Sequence, residues 1–551
     1  MNCIDQIQQQ FFSFIKTQFS LDDSFITTSG LTINVDESKK DFGDLSSNIP
    51  MVIARPLKRN PKEIAAEILQ KFTHPLVAKI EIAGPGFLNF FLTPQAFQDL
   101  AIQLWDQKDQ FFVLDEQAPR HHFNVEFVSG NPTGPLHLGH GRNGIIGDVL
   151  STVLKFLGHD VVKEYYINDA GSQIQKLGQS FKIRCQQQAG MLDAQIPEGG
   201  YQGEYLVELA KKLITEQGPA ILDQPDSFFA DYAKTEMLKN IRETLAEYGM
   251  HFDVWFSEQA LHDDGSINRA IDLLRTKGFV YDLEGAVWFK STAFGDDKDR
   301  VLRKANGEVT YVAPDIAYMQ NKIARGADKL VMVLGHDHHS YVTRLQALLT
   351  ALDLGPATLE VILYQLVNLK ASGEIVKMSK RAGKIVNLSD VIETVGVDVA
   401  RFFFLNRKAE TPLDFDLDLA LKRSEENPVF YVQYAFVRTT SILGKAAAEE
   451  KLQAITAADA QHLGEPEAQL IKKIIDLKYI LRGIGNHYQT HLLAYYVLEL
   501  AHSFHSYYSK NRVIDLENIP VSRARLLLIM ELQHAFGLAL KLLGLSRPEK
   551  M

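Results

Sequence analysis

FNVEFVSGNPTGPLHLGHGRNGIIGDVLSTVLKFLGHDVVKEYYI, residues 123–167, decides the fold of this chain. FNVEFV (123–128) has the β-branched and aromatic content of a buried strand. SGNPTGPLHL follows as a Gly- and Pro-rich loop. From Gly139 onward Ile145, Ile146, Val149, Leu150, Val153, Leu154 and Leu157 recur at three- and four-residue spacing, the period of a helix. Gly158 stands where a helix stop belongs, and VVKEYYI (161–167) reads as a second strand. Strand, loop, helix and strand make a βαβ unit, expected to cross over right-handed. Ligands of such units sit at the strand's carboxyl end, over the helix N-terminus.

Outward from this unit, residues 1 to about 110 read as a small α+β module. It has an opening amphipathic helix, a second near PKEIAAEILQKF, and the strand-like runs VAKIEIA and FLNFFLT broken by Gly84-Pro85-Gly86. Strand and helix signals alternate downstream to about residue 410, including GAVWFK, VTYVA, KLVMVLG and LEVILYQLV. From Ser424 helical periodicity dominates, interrupted by a surface segment near 446–467. A chain of 551 residues exceeds one core, and the expected division is 1–112, 113–423 and 424–551.

Hydrophobic residues at 46% and charged residues at 23% exclude a disordered or collagen-like chain. Two cysteines, Cys3 and Cys185, cannot build a disulfide framework or a Cys-rich zinc site, which suits a reducing compartment. No signal peptide or membrane span is expected, so the expected location is cytoplasmic. The formal charge of −10 argues against a protein that coats nucleic acid non-specifically. It is an average, however. Residues 468–551 hold 11 Lys+Arg and 6 Asp+Glu, a local +5 that would allow selective nucleic-acid binding through a basic patch.

Two motifs carry chemistry. His137-Leu138-Gly139-His140 places two imidazoles one turn apart over free backbone N–H groups and a positive dipole end, a plausible phosphate site. Gly139 lets a flat base or sugar approach the backbone. The bland alternative is a chance tetrapeptide with surface histidines. KASGEIVKMSKRAGK (370–384) carries Lys370, Lys377, Lys380, Arg381 and Lys384 among small residues, with Glu374 as its acid. Such a loop can neutralise a triphosphate as pyrophosphate leaves, or simply be a solvated basic loop.

Together HLGH after the first strand and KMSK about 240 residues later resemble the signature pair of class I aminoacyl-tRNA synthetases. FNVEFVSGNPTGPLHLGHGR (123–142), GHDVVKEYYINDAGSQI (158–174), YVAPDIAYM (311–319), GHDHHSYVTRL (335–345), KMSKR (377–381) and NPVFYVQYAFVR (427–438) sharpen the resemblance to the arginyl-tRNA synthetase family. DFGDLSSNIP (41–50) and GPGFLNFFL (84–92) resemble that family's N-terminal module, so the likeness covers nearly the whole chain.

The resemblance implies a Rossmann-like, doubly wound parallel-sheet catalytic domain, an α+β N-terminal domain contacting the tRNA elbow, and an all-α anticodon-binding domain. It implies L-arginine, ATP and tRNA(Arg) as partners. His137, Gly139, His140, Lys377, Met378, Ser379 and Lys380 match the ATP site, with His137, His140, Lys377 and Lys380 catalytic. Glu126, Ser129, Asn131, His140, Tyr311, Asp315 and His339 match positions around the amino acid. Arginine's planar, permanent cation is best held by carboxylates and flat partners, which suits Asp315 and Tyr311. Glu126 has a structural salt bridge as its alternative, and Tyr311 a core position. Tyr496, Tyr507 and Arg512 are the expected tRNA contacts, although bundle packing competes for each tyrosine. Mg²⁺ is expected with ATP, no protein-held metal is expected, even at His336, His338 and His339, and the chain is expected to be a monomer without a membrane partner. Arginine activation in the family normally requires bound tRNA. Many relatives carry a degraded second motif, from which the intact KMSK departs.

Two rivals remain. A small nucleotidyltransferase also uses an HxGH turn, but needs neither KMSK nor a long helical tail. A synthetase-like regulatory protein would not need His137, His140, Lys377 and Lys380 together.

Overall fold

The computed structural model describes residues 2–22, 30–36, 41–375 and 387–551. Lys377, Met378, Ser379, Lys380, Arg381 and Lys384 therefore lie outside the described residues. The chain forms two compact units: residues 1–118 with 423–487 and 492–551, and residues 119–422 with 488–491.

The second unit is built on a five-stranded parallel sheet. Its strands are β1 (His122–Glu126), β2 (Asp160–Ile167), β3 (Val254–Ser257), β4 (Lys329–Gly335) and β5 (Thr358–Tyr364). They lie in the order β5-β4-β1-β2-β3, all parallel. This is the doubly wound order, which reverses beside β1 and opens a crevice past the carboxyl ends of β1 and β4. β1 sits at the centre with Phe123, Val125 and Glu126 all buried, as a strand covered on both faces must be.

Three helices matter to the site: α1 (Leu138–Phe156), α2 (Val312–Ala324) and α3 (His339–Leu352). In α1, Gly141, Gly144 and Gly147 recur every three residues on a buried face. A Cβ at Gly147 would stand 2.2 Å from Phe127 Cγ, and one at Gly141 2.4 Å from Leu388 Cδ1. The glycines are thus what lets this helix lie against its neighbours. VTYVA, strand-like in sequence, contributes one bridge at Val309 to Arg303 and then turns into α2. Pro314 in the first helical turn explains the change, since a missing N–H is tolerated there but not within a sheet. Between β2 and β3, helices Ser172–Gln188, Glu204–Gln217 and Asp226–Glu247 enclose a satellite core around Phe181, Cys185 and Phe229.

The first unit joins the two ends of the chain. Its N-terminal part carries a four-stranded sheet whose hairpin Val77–Ala83 and Phe87–Leu92 matches the sequence reading. Its C-terminal part is a bundle that includes helices Pro428–Ala447, Glu465–His487, His491–Lys510 and Ile519–Leu543. Buried lysines of the bundle meet acids of the N-terminal part: Lys472 with Asp44 and Lys478 with Asp5, each at 2.9 Å. Lys108 and Glu531 pair in the opposite sense. Ile519–Leu543 is long and apolar enough to cross a membrane by length and composition, yet 78% of its most apolar 18-residue window is buried in the protein. It is the bundle's core helix.

Candidate active site

The loop after β1 turns abruptly. Val128 (φ 64°) and Ser129 (φ 41°) both adopt left-handed backbone, which a β-branched residue rarely tolerates. Asn143 supports this geometry: its Oδ1 accepts the Val128 N–H at 2.6 Å, while its Nδ2 donates to the Val333 carbonyl of β4. The strain aims Ser129 back at the strand, where its Oγ donates to Glu126 and accepts from the Tyr166 N–H.

His137 is the N-cap of α1. Its Nδ1 accepts the Gly139 N–H at 3.1 Å, and His140 Nδ1 accepts the His137 N–H at 3.2 Å. The rings stack with centroids 3.8 Å apart. With both Nδ1 atoms accepting, the neutral rings carry their protons on Nε2, leaving two N–H donors for a ligand. Loss of surrounding water holds both imidazoles below the usual range. For His140, with His137 as a further cause, the value falls to about 3. Gly139 leaves room above the turn: a Cβ there would meet the His137 ring at 3.0 Å and the Tyr364 hydroxyl at 3.7 Å.

Past the carboxyl end of β1 lies a carboxylate cluster, in which Glu258 and Glu126 both act on Asp315. Glu126 ion-pairs with Lys322 of α2, both almost wholly buried. Its neighbour in register, Glu164, is held by Arg325, Tyr318 and Asn124. Asp315 differs. Its Oδ2 is buried and has no hydrogen-bond partner. Burial is the main reason its pKa rises to about 7. A hydrogen bond from Tyr341 opposes the rise, Glu258 adds to it, Arg344 opposes it and Glu126 adds to it. Glu258, also raised by burial and hydrogen-bonded to Tyr166, completes the cluster. Its position at the end of β3 leaves no motif to find it by. An orphaned carboxylate oxygen beside a second carboxylate suits a guanidinium, which would satisfy both.

The remaining predicted groups are distributed around these two features. Tyr311 caps α2 and is 63% exposed, which removes the core alternative. The Arg344 guanidinium lies 5.1 Å from its ring centroid and equally far from that of Tyr341. Asn131 donates to Gln173. His339 opens α3 past the end of β4, exposed, with its ring 6.0 Å from His336. In the bundle, Tyr496 and Tyr507 need correction as base-stacking residues. They are 2% and 7% exposed, and their hydroxyls reach the Ile474 carbonyl and Glu467. Helical spacing could not tell inward tyrosines from outward ones. Arg512 is exposed, its Nε donating to the Ile514 carbonyl. The accessible aromatic surface lies on Pro428–Ala447 and His491–Lys510, where Tyr431, His502 and Tyr508 gather around Arg438 and His505.

A doubly wound sheet with an HLGH turn at its switch point fits a class I aminoacyl-tRNA synthetase, and the family models bear that class out. The family model described as "tRNA synthetases class I (R), catalytic domain" matches residues 107–401. "Arginyl tRNA synthetase N terminal domain" matches 5–92 and "DALR anticodon binding domain" 432–551. The arginine–tRNA ligase of Geobacillus thermodenitrificans is 44% identical over 93% of each chain, and that of Anoxybacillus flavithermus 40% over the full length of both. The crystal structure of arginyl-tRNA synthetase from Plasmodium falciparum shares the fold over the whole of both chains, with a TM-score of 0.77 at 19% identity. The chain belongs to the arginyl-tRNA synthetases, and its activity is that of an arginine–tRNA ligase.

Proposed function

We propose that the HLGH turn and the carboxylate pocket divide the two small substrates between them, ATP at the turn and arginine in the pocket. The observation that carries this reading is the unpartnered, buried Asp315 oxygen. A guanidinium there makes a charge-assisted bond where the free protein has none. Glu258, Tyr311 and Tyr341 flank it, while Ser129, Asn131, His140 and His339 serve the rest of the amino acid. Glu126, fixed by Lys322, faces its α-amino end.

In the reaction, the arginine carboxylate attacks the α-phosphorus of ATP and pyrophosphate departs, giving arginyl-adenylate. In-line displacement of this kind depends on positioning and charge neutralisation rather than on a covalent nucleophile. His137 and His140 donate from Nε2 to phosphate or ribose. Lys377 and Lys380, with Met378 and Ser379 of the same motif, act on the triphosphate. The 2′-hydroxyl of the terminal tRNA ribose then takes the arginyl group, releasing AMP. Mg²⁺ enters with ATP, held by phosphate oxygens and water. The turn's neutral imidazoles suit phosphate and ribose better than an oxygen-seeking cation.

The parts assigned to tRNA are the N-terminal module at the elbow and the helical domain at the anticodon, within the division 1–112, 113–423 and 424–551. Arg512 remains the candidate contact there, and the Tyr431–Arg438–Tyr508 face joins it in place of the buried tyrosines. The protein works as a cytoplasmic monomer without a membrane partner. Charging of tRNA(Arg) with each of the twenty amino acids tests the pocket: arginine alone is expected, and charging by another amino acid overturns the assignment. Pyrophosphate exchange is expected to require tRNA. Robust exchange without it would tie the intact KMSK to tRNA-independent activation.

A further inference from the structure

Arg142 and Asn143, one residue past the HLGH turn, are buried polar groups that no reaction step above uses. Arg142 is 0% exposed, yet no carboxylate is among its hydrogen-bond partners. Its guanidinium donates to three backbone carbonyls: Gln365 and Thr411 at 2.8 Å and Lys408 at 2.9 Å. Gln365 follows β5 directly, and the Gln365 N–H in turn donates to the Ala409 carbonyl. Asn143 grips the other strands. It clamps the Val128 N–H past the end of β1 and the Val333 carbonyl in β4, and it hydrogen-bonds the Tyr364 side chain at the end of β5. One helical turn thus holds the carboxyl ends of three strands.

Isolated charge is expensive to bury. Removal of water pulls the Arg142 pKa down to about 10, leaving it cationic at neutral pH. Three carbonyl dipoles from two chain segments are what stabilise it. A packed apolar side chain could fill the same space, so the guanidinium must contribute geometry: a planar fork fixes three acceptors at once. The group most directly positioned is the Tyr364 hydroxyl, which sits across from Gly139.

We propose that Arg142 and Asn143 are positioning residues for ATP, setting the HLGH turn in register with the ends of β1, β4 and β5. Neither touches the nucleotide. The gap between Gly139 and Tyr364, and the direction of the two Nε2–H donors, depend on them. The proposal rests on assigning the turn to ATP.

The test is ATP–pyrophosphate exchange by the full chain with saturating arginine and tRNA, with rates normalised to titrated active sites. Arg142→Lys keeps the charge but loses the fork, Arg142→Met keeps the bulk alone, and Asn143→Asp loses the donor to Val333. Each should raise the ATP KM or lower kcat on the order of tenfold, since small misplacements near a reacting centre have large effects. Arg142→Lys should be milder than Arg142→Met, and for both Arg142 variants the arginine KM should stay within about twofold of the parent, because uniform loss of structure would move both substrates together. Should Arg142→Met fail to fold, Arg142→Lys and Asn143→Asp carry the test. Variants that only melt earlier, with parental ATP parameters per active site, overturn the positioning role. A parental ATP KM and kcat in His140→Ala overturns the assignment of the turn to ATP, and the proposal with it.

Discussion

Asp315 combines two properties that bear on its chemistry: an oxygen without a partner and a pKa near 7. Its value is raised above that of the unfolded chain, so the protonated form is the one folding favours. This residue's contribution to stability is greatest in acid and is lost as pH rises through about 7. Bound arginine reverses the preference, because a guanidinium holds the carboxylate ionised. Binding near neutral pH should therefore release a proton, and affinity should strengthen between pH 6 and pH 8, roughly the span about the free carboxyl's pKa. Calorimetry in buffers of different ionisation enthalpy measures the proton directly. Asp315→Asn should abolish the pH dependence and weaken arginine on the order of 100-fold, as expected for a desolvated charge partner. A variant that binds arginine with the parental pH profile would remove Asp315 from the pocket. The orphaned oxygen could not be seen in the sequence, where Asp315 is one carboxylate among 68. The residues that make its surroundings, Glu258 and Tyr341, arrive from distant strands and helices.

At the scale of elements, α1 shows what was legible and what was not. Its limits, its place after β1 and its buried face could all be read from three- and four-residue spacing. The close approach that Gly147 permits could not, since it depends on Phe127 turning inward beneath the helix. Gly147→Ala should destabilise the protein by about 1–3 kcal/mol, the usual range for overpacking a filled core. Gly144→Ala should cost less, because its nearest atom is the flexible Met250 sulfur at 2.7 Å. Urea midpoints for the two variants give the ranking, and equal midpoints would show that the helix shifts to accommodate either methyl group. VTYVA failed as a strand signal for a complementary reason. β-branched content is shared by strands and buried helix starts, and Pro314 settles the choice only once the backbone partners are known. The strained pair Val128 and Ser129 had no local signal at all. Its support comes from Asn143, whose own partner lies on β4.

For the whole molecule, the alternation of strands and helices in the middle of the chain and the helical run after it were legible in the periodicity of the chain. The pairing of its two ends was not. The +5 of residues 468–551 had suggested a basic surface turned toward RNA. Lys472, Lys473 and Lys478 are instead buried, with Asp44, Glu499 and Asp5 as partners. Lys472 and Lys478 are thus matched by acids that lie outside the segment, within the first unit. Lys478→Met should cost about 3–5 kcal/mol, since it leaves Asp5 with its carboxylate unmatched in a largely dry setting. Adding Asp5→Leu should recover part of that loss. Thermal unfolding of the single and double variants checks this, and additive losses would mean that the pair does not interact.

These cross-matched charges also bear on how such a chain can be recombined. Its first 118 residues have acids cut to the lysines of the helix Glu465–His487, and one lysine, Lys108, cut to Glu531. Grafting either end from a relative with different pairs would strand charges in the joint. The unit of exchange is the two ends together, moved as one piece.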